Sequence, residues 1–169
     1  MLQLIILSVL VFTLPVTGCA QVKRAPEPRG DSNQEAVADS PVDQKKAREL
    51  SDSLAKAVIE DRTKDLYPKM EQAFRDAVPE NGMKPLLEQM YAAYGKPLEV
   101  EYKKDEEGFK VYGDGTRKSM RKFWYAVRTS KAKKGTYFLL TEIVPEGDSL
   151  ACTAFSIVNF PLGIPPSLQ

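Results

Sequence analysis

Between residues 42 and 94 apolar side chains recur at three- and four-residue steps, which is the period of an amphipathic α-helix. A first helix is predicted from the Ser40-Pro41 start to about Arg62, because Ser is a favoured N-cap and Pro a favoured first helical residue. Its apolar stripe consists of Ala47, Leu50, Leu54, Ala57 and Val58.

Two further helical segments are predicted before residue 95. The first begins at Thr63 and carries its apolar stripe on Leu66, Met70, Phe74, Ala77 and Val78, and Pro68 must kink it or start a new turn. The last runs from Met83 or Lys84 to Tyr94. Gly95 and Pro97 end this helix, since Gly favours the left-handed C-cap and Pro cannot continue a helix.

From Leu98 onward the apolar period changes from helical to two, which is typical of β-strands. The predicted strands are residues 98–104, 109–112, 120–130, 136–144 and 150–159, with a turn at residues 105–108. The order of the elements, with helices first and an antiparallel meander second, predicts an α+β domain. In this domain about three N-terminal helices pack on a curved antiparallel sheet of four to five strands.

Three segments of this domain carry a resemblance to a known superfamily. They are the Tyr94-Gly95-Lys96-Pro97 helix exit, the strand Phe123-Trp124-Tyr125-Ala126-Val127, and the closing strand that ends at Phe160. In the order of their helices and strands and in their general residue pattern, residues 40–160 resemble the cystatin-like and nuclear-transport-factor-two-like cone folds. The resemblance implies a curved sheet with the helices in its concavity. That fold hosts both enzymes and binding modules, so it does not decide the function.

The chain begins with an uncharged apolar run, residues 1–14, followed by Pro15 and then Val16-Thr17-Gly18-Cys19. These four residues resemble the lipobox of bacterial lipoproteins. The resemblance implies that the Cys19 thiol receives a lipid and that cleavage falls between Gly18 and Cys19. The alternatives are an ordinary cleaved secretory signal and an uncleaved anchor, although a bilayer span needs about 20 apolar residues.

The predicted organisation follows from these segments. Residues 1–18 form a lipoprotein signal peptide, 19–39 the lipidated Cys and a disordered tether, 40–160 a single domain and 161–169 a proline-rich tail. The membrane, reached through the anchor, is the first predicted partner. The resemblance to lipoproteins implies an extracytoplasmic location, on the periplasmic face of the outer membrane if the host has one, because Ala20 is not the Asp that retains some lipoproteins in the inner membrane.

Composition excludes several kinds of chemistry. The chain has no histidine and two cysteines, and its formal charge is +1. Catalytic sites and zinc sites that depend on His are therefore excluded, and the sequence predicts no catalytic residue, metal or cofactor. If Cys19 carries a lipid, Cys152 has no partner in the chain, and it is predicted to be a small buried apolar residue rather than a reactive thiol.

Eight basic residues and no acidic one lie between Gly115 and Thr141. They could form a basic surface that binds anionic lipid, an anionic polymer or an envelope protein. Alternatively, they form a solvated strand face paired with Glu99 and Glu101. Nucleic acid is not expected in this compartment. The residues are Arg117, Lys118, Arg121, Lys122, Arg128, Lys131, Lys133 and Lys134.

Aromatic side chains are dense in the second half of the chain. Tyr91, Tyr94, Trp124, Tyr137 and Phe155 are candidates for an apolar ligand pocket; the alternative is that they belong to the core. The ketosteroid-isomerase-like branch of the cone fold uses Tyr and carboxyl groups in such a pocket, but no residue here matches that motif.

Three functional hypotheses remain. The first is a non-enzymatic lipoprotein whose domain binds an envelope protein or polymer. The second is a small-molecule binder, or a His-free enzyme, with an aromatic pocket. The third is a structural accessory subunit that needs a partner.

Overall fold

Asp43 sets the start of the first helix in the computed structural model, which describes residues 41–134 and 136–159. Helix α1 (Gln44–Ile59) begins where the Asp43 side chain accepts a hydrogen bond from the backbone N–H of Lys46 at 3.0 Å. This bond satisfies one of the unpaired N–H groups of the first turn. The predicted start was therefore placed too early, and Ser40, the predicted cap, lies outside the described residues.

The second predicted helical segment is divided into pieces. Helix α2 (Thr63–Leu66) continues into a 3-10 turn (Tyr67–Lys69), and helix α3 (Gln72–Ala77) follows after a break. Met70 is extended at the break and forms a parallel bridge with Cys152. The Glu71 N–H donates to the Cys152 carbonyl at 2.8 Å, so the chain exchanges helical bonds here for contacts with a strand.

Helix α4 (Met83–Tyr94) follows a second 3-10 turn (Glu80–Gly82) and ends at Gly95, as the sequence predicts. Gly95 has a φ of 86°, and a Cβ atom at this position would lie 2.8 Å from the backbone nitrogen of Lys131. Both the conformation and the close approach require glycine.

The sheet contains four antiparallel strands in the order β1-β2-β3-β4. They are β1 (Pro97–Val111), β2 (Arg117–Thr129), β3 (Tyr137–Glu146) and β4 (Ser149–Asn159). Together with the helices they make the α+β fold that the sequence predicts.

The predicted turn at residues 105–108 was wrong, because β1 runs through it without interruption. Asp105 and Glu107 lie at alternate positions on β1, and both form ion pairs with Arg121 of β2. Polar residues that look like a turn in the sequence are thus held extended by a cross-strand partner.

The two faces of the sheet differ in what covers them. One face packs against the helices, and its buried centre consists of Phe123, Tyr125, Val127, Leu139 and Ile143, which cluster with Leu54, Val58, Leu66 and Leu87. On the opposite face Trp124 and Val158 pack against the buried Ala126 and Phe138. Successive strand residues point to opposite faces, so β2 supplies both clusters.

Several predicted segments lie outside the described residues. These are the signal peptide, Cys19, the tether and the tail, and the end of the closing strand at Phe160. Within the part of the chain that the structure describes, no helix has the length and apolarity needed to span a bilayer.

Candidate functional site

A chain of buried hydroxyl groups joins α1 to the sheet. Ser51 Oγ lies 2.7 Å from the Tyr125 hydroxyl oxygen and 2.6 Å from Thr141 Oγ1, and Tyr125 donates to Asp52 Oδ1 at 2.8 Å. Tyr125 has a single proton, which goes to Asp52. Ser51 must therefore donate to Tyr125, and Thr141 must donate to Ser51.

The chain continues through charged groups to the first strand. Arg48 Nε donates to Asp52 at 2.8 Å, and the guanidinium carbon of Arg48 lies 3.4 Å from the centroid of the Tyr102 ring. The Tyr102 hydroxyl donates to Asp105, which also pairs with Arg121. Arg48 thus stacks between α1 and β1.

The chemistry open to this network is limited. Burial, and then the carboxylate of Asp52, raises the pKa of Tyr125 well above its ordinary value. The phenol therefore stays neutral at physiological pH, and its proton is already engaged by Asp52. Tyr125 thus does not present a free donor to the oxygen of a substrate, and the network serves to fix α1 on the sheet.

A second polar cluster holds the end of the β1–β2 hairpin. The nearly buried Glu71 accepts hydrogen bonds from the Tyr112 hydroxyl at 2.6 Å and from Lys118 Nζ at 3.0 Å. Burial by itself raises the pKa of Glu71, but these hydrogen bonds outweigh it and lower the pKa overall. The backbone of Glu71 is bonded to β4 through Cys152, so the cluster ties the hairpin end to the far side of the sheet.

The eight basic residues of the predicted surface do not form one patch. Four of them, Arg117, Lys118, Arg121 and Lys122, lie in the first half of β2. The other four, Arg128, Lys131, Lys133 and Lys134, lie at its end and in the following loop. A strand of 13 residues is about 40 Å long, so the two groups are at opposite ends of the sheet.

Most of these basic side chains have acidic partners. Lys118 pairs with Glu71, Lys122 with Glu142, Arg128 with Glu99, and Lys134 with both Glu99 and Glu101. Glu99 and Glu101 are the partners that the alternative interpretation named. Lys131 donates to the carbonyl of Ala92, and Lys133 is exposed. The arrangement is typical of a paired strand face rather than a strong positive field.

The five candidate pocket residues do not line one common site. Tyr91, Tyr94, Tyr137 and Phe155 pack against the helix-side core, whereas Trp124 lies on the opposite face. Tyr94 and Tyr137 meet edge to face with their ring centroids 5.4 Å apart. The Tyr91 hydroxyl donates to the Val58 carbonyl at 2.7 Å. These contacts are those of core residues.

An exposed apolar tip is the feature that sequence reasoning missed. Phe109 and Val111 are 57% and 66% exposed, and they stand at alternate positions near the end of β1. The guanidinium carbon of Arg117 lies 3.9 Å from the centroid of the Phe109 ring. We call Phe109, Val111 and Arg117 the hairpin tip. Its sequence looks like an ordinary half-buried strand, and only the placement of the helices shows that nothing among the described residues buries Phe109 and Val111.

Cys152 is fully buried, and burial raises the pKa of its thiol to about 12. Among residues 41–134 and 136–159, no three Cys, Asp or Glu side chains come together in a way that could hold a metal ion. A buried neutral thiol is a poor nucleophile, because the thiolate is the reactive form.

No known protein family, curated protein or solved structure matches this chain.

Proposed function

We propose that the protein is an extracytoplasmic lipoprotein of the cell envelope, whose α+β domain binds another envelope component without catalysing a reaction. The observation that carries this proposal is the apolar run of residues 1–14 followed by Val16-Thr17-Gly18-Cys19. A lipid on Cys19 would hold the domain at a membrane. Residues 20–39 would then act as a tether with a reach of about 25 Å.

A non-enzymatic role is supported by the state of the groups that could react. The sequence lacks histidine, Cys152 is buried with a raised pKa, and the Tyr125 proton is engaged by Asp52. Each observation removes a common nucleophile, base or proton donor.

The hairpin tip and the paired charges favour one type of partner over another. An anionic polymer would be attracted by unpaired cations, whereas here most of the basic residues pair with carboxylates. An envelope surface with apolar character is a better match for Phe109 and Val111. The alternative hypothesis, a small-molecule pocket, loses support from the core contacts of Tyr91, Tyr94 and Tyr137.

We also propose that the sheet is curved, as in the cone folds that the sequence resembles. The support is Glu71, which is bonded to β4 through its N–H and to Tyr112 and Lys118 of the β1–β2 hairpin through its side chain. Strand neighbours alone would keep β1 and β4 apart, since they lie at opposite ends of the strand order.

The Cys19→Ser substitution tests the anchor. The unchanged chain should incorporate radiolabelled palmitate and stay with membranes through dilution and flotation in a density gradient, whereas Cys19→Ser should incorporate no palmitate and should be lost from the membranes on dilution. Two acyl chains bind a membrane stably, and a protein without them should dissociate. Cys152→Ser is the matched control, because Cys152 is the other cysteine of the chain. Palmitate incorporation by the Cys19→Ser variant would sink the proposal.

A further inference from the structure

The hairpin tip extends beyond the part of the sheet that the neighbouring strand covers. Strand β3 pairs with β2 only between Arg121 and Val127. The end of the β1–β2 hairpin, where Phe109 pairs with Ser119 and Val111 with Arg117, is therefore a two-stranded extension. Its two large apolar side chains, Phe109 and Val111, are exposed. Among the described residues, Leu98 is the third large apolar residue that is exposed.

The opposite side of this extension is fixed by polar contacts. Lys110 pairs with Glu142, and both Tyr112 and Lys118 bond to Glu71. The hairpin tip is thus held in place before any partner binds. A surface whose backbone is already ordered loses less conformational entropy on binding.

The chain enters the domain beside the hairpin tip. Gln44, the first residue of α1, donates to the Asp105 carboxylate at 3.3 and 3.4 Å. Asp105, Glu107, Phe109 and Val111 lie at alternate positions of β1, so they share one face. Phe109 is four residues beyond Asp105, which is about 13 Å along a strand.

Gln44, and with it the first turn of α1, therefore lies on the side of the domain that carries the hairpin tip. In the sequence about 20 residues separate Pro41 from Cys19, the residue that the proposed function places in the membrane. The exposed apolar side chains and the start of α1 thus lie on the same side. A tether of about 20 residues has a reach of about 25 Å, so it keeps this side within reach of the bilayer in which Cys19 is anchored.

We infer that the hairpin tip inserts into the interfacial region of the bilayer in which Cys19 is anchored, so that the lipid and the hairpin together orient the domain. This inference rests on the proposed function. Phe109 and Val111 would enter the apolar boundary, and Arg117 would keep its guanidinium at the level of the headgroups. The contact is weak by itself, but the tether makes it intramolecular and raises its occupancy.

Charge should contribute little to this contact. Near the tip, Lys110 and Lys122 pair with Glu142, Lys118 with Glu71, and Arg121 with Asp105 and Glu107. Insertion should therefore be similar in neutral phosphatidylcholine vesicles and in vesicles that contain phosphatidylglycerol. Binding that required the anionic lipid and disappeared at high salt would overturn insertion in favour of a basic surface.

The first test places a spin label in the lipid-anchored full chain. Val111→Cys gives a label at the hairpin tip, and Glu88→Cys gives one on the exposed side of α4. Cys152 is fully buried and should remain unlabelled. In native membrane vesicles the label at position 111 should collide more with oxygen, and less with a water-soluble nickel complex, than the label at position 88.

Two results would overturn the inference. Equal access of the nickel complex to both labels, in protein that still floats with membranes, would leave the lipoprotein proposal intact and remove the insertion. Loss of access for both oxygen and nickel at position 111 would show that a protein covers the tip.

The second test does not depend on the lipid. The mature chain with Cys19→Ser is titrated with an excess of phosphatidylcholine vesicles, and its weak, reversible binding is measured at equilibrium. Phe109→Ser together with Val111→Ser should weaken binding about tenfold, because less apolar area enters the interface. Leu98→Ser, at the other end of β1 and 45% exposed, is the matched control and should bind like the parent chain. Equal binding of all three proteins would overturn the inference whatever the state of Cys19.

Discussion

At the scale of single residues, the buried hydroxyl chain decides how α1 sits on the sheet. Apolar contacts of Leu54 and Val58 are non-directional. The bonds from Thr141 to Ser51, and from Ser51 to Tyr125, each require one position and one orientation. A helix that slid by one turn would leave these buried hydroxyls without partners, which costs about 1–3 kcal/mol for each group.

Removal of one hydroxyl should expose this dependence. Tyr125→Phe keeps the ring in the core but leaves the buried Ser51 proton without its acceptor and removes the donor to Asp52. The free energy of unfolding should fall by about 1–3 kcal/mol. Urea denaturation followed by circular dichroism measures the change.

Tyr137→Phe is the control for this substitution. It removes a hydroxyl from a half-buried ring that lies outside the Ser51 network and keeps the edge-to-face contact with Tyr94. Its effect should be within about 0.5 kcal/mol, as at most sites without a special role. Equal losses in both variants would mean that the network adds nothing to ordinary packing.

At the scale of elements, the sequence predicts best where local signals suffice. Helix α4 and strand β4 lie close to their predicted bounds. Gly95 ends α4 and the Gly147-Asp148 turn joins β3 to β4, and both depend on local backbone geometry. The break before α3 and the continuity of β1 depend on partners far along the chain. Met70 leaves the helix for Cys152, and Asp105 stays extended opposite Arg121.

The candidate site divides in the same way. Sequence identified the basic residues of β2 and the presence of Glu99 and Glu101 as partners. It could not identify the hairpin tip, because the exposure of Phe109 depends on where the helices end over the sheet. The sequence also could not show that Trp124 lies apart from the other aromatic residues, because this depends on which face of the sheet each strand residue occupies.

The hairpin should lose its attachment in acid. The folded protein lowers the pKa of Glu71 through Tyr112 and Lys118, and that of Asp105 through Tyr102 and Arg121, although burial opposes both shifts. A carboxyl group with a lowered pKa stabilises the fold at pH values above its unfolded pKa of about 4. This stabilisation is lost as the pH falls through the folded value, so urea midpoints should be constant near pH 7 and decrease below about pH 4.

Substitution of Glu71 tests which group carries this effect. Glu71→Gln should be less stable than the parent chain at pH 7, by about 1–3 kcal/mol, because a charge-assisted hydrogen bond becomes neutral. It should also lose less stability between pH 7 and pH 3. Glu88→Gln is the control, since Glu88 is exposed and forms only a 3.9 Å contact with Lys84. An unchanged acid dependence in Glu71→Gln would assign the effect to other carboxylates.

At the scale of the whole molecule, the helices bury the centre of one sheet face and leave the hairpin end of that face open. The helices cover Phe123, Tyr125 and Val127, and the ends of β1 and β2 extend past them. With a formal charge of +1, and with most of the basic residues of β2 and its following loop paired, long-range attraction contributes little to recognition. Binding should depend instead on short-range apolar contact and on the proximity that the proposed tether would provide.

Cys152 offers a measurement of the stability of this whole domain. Its side chain is fully buried between β3 and the Met70 bridge, and burial raises its pKa to about 12. A disulfide reagent needs an accessible thiolate, so labelling should require unfolding of the core. A domain of ordinary stability should therefore react at least about a thousandfold more slowly in buffer than in denaturant.

The Glu88→Cys variant supplies an exposed thiol for comparison and should react at once. Rapid labelling of Cys152 in buffer would show that the β4 edge opens independently of the rest, and that the Met70–Cys152 bridge does not close it.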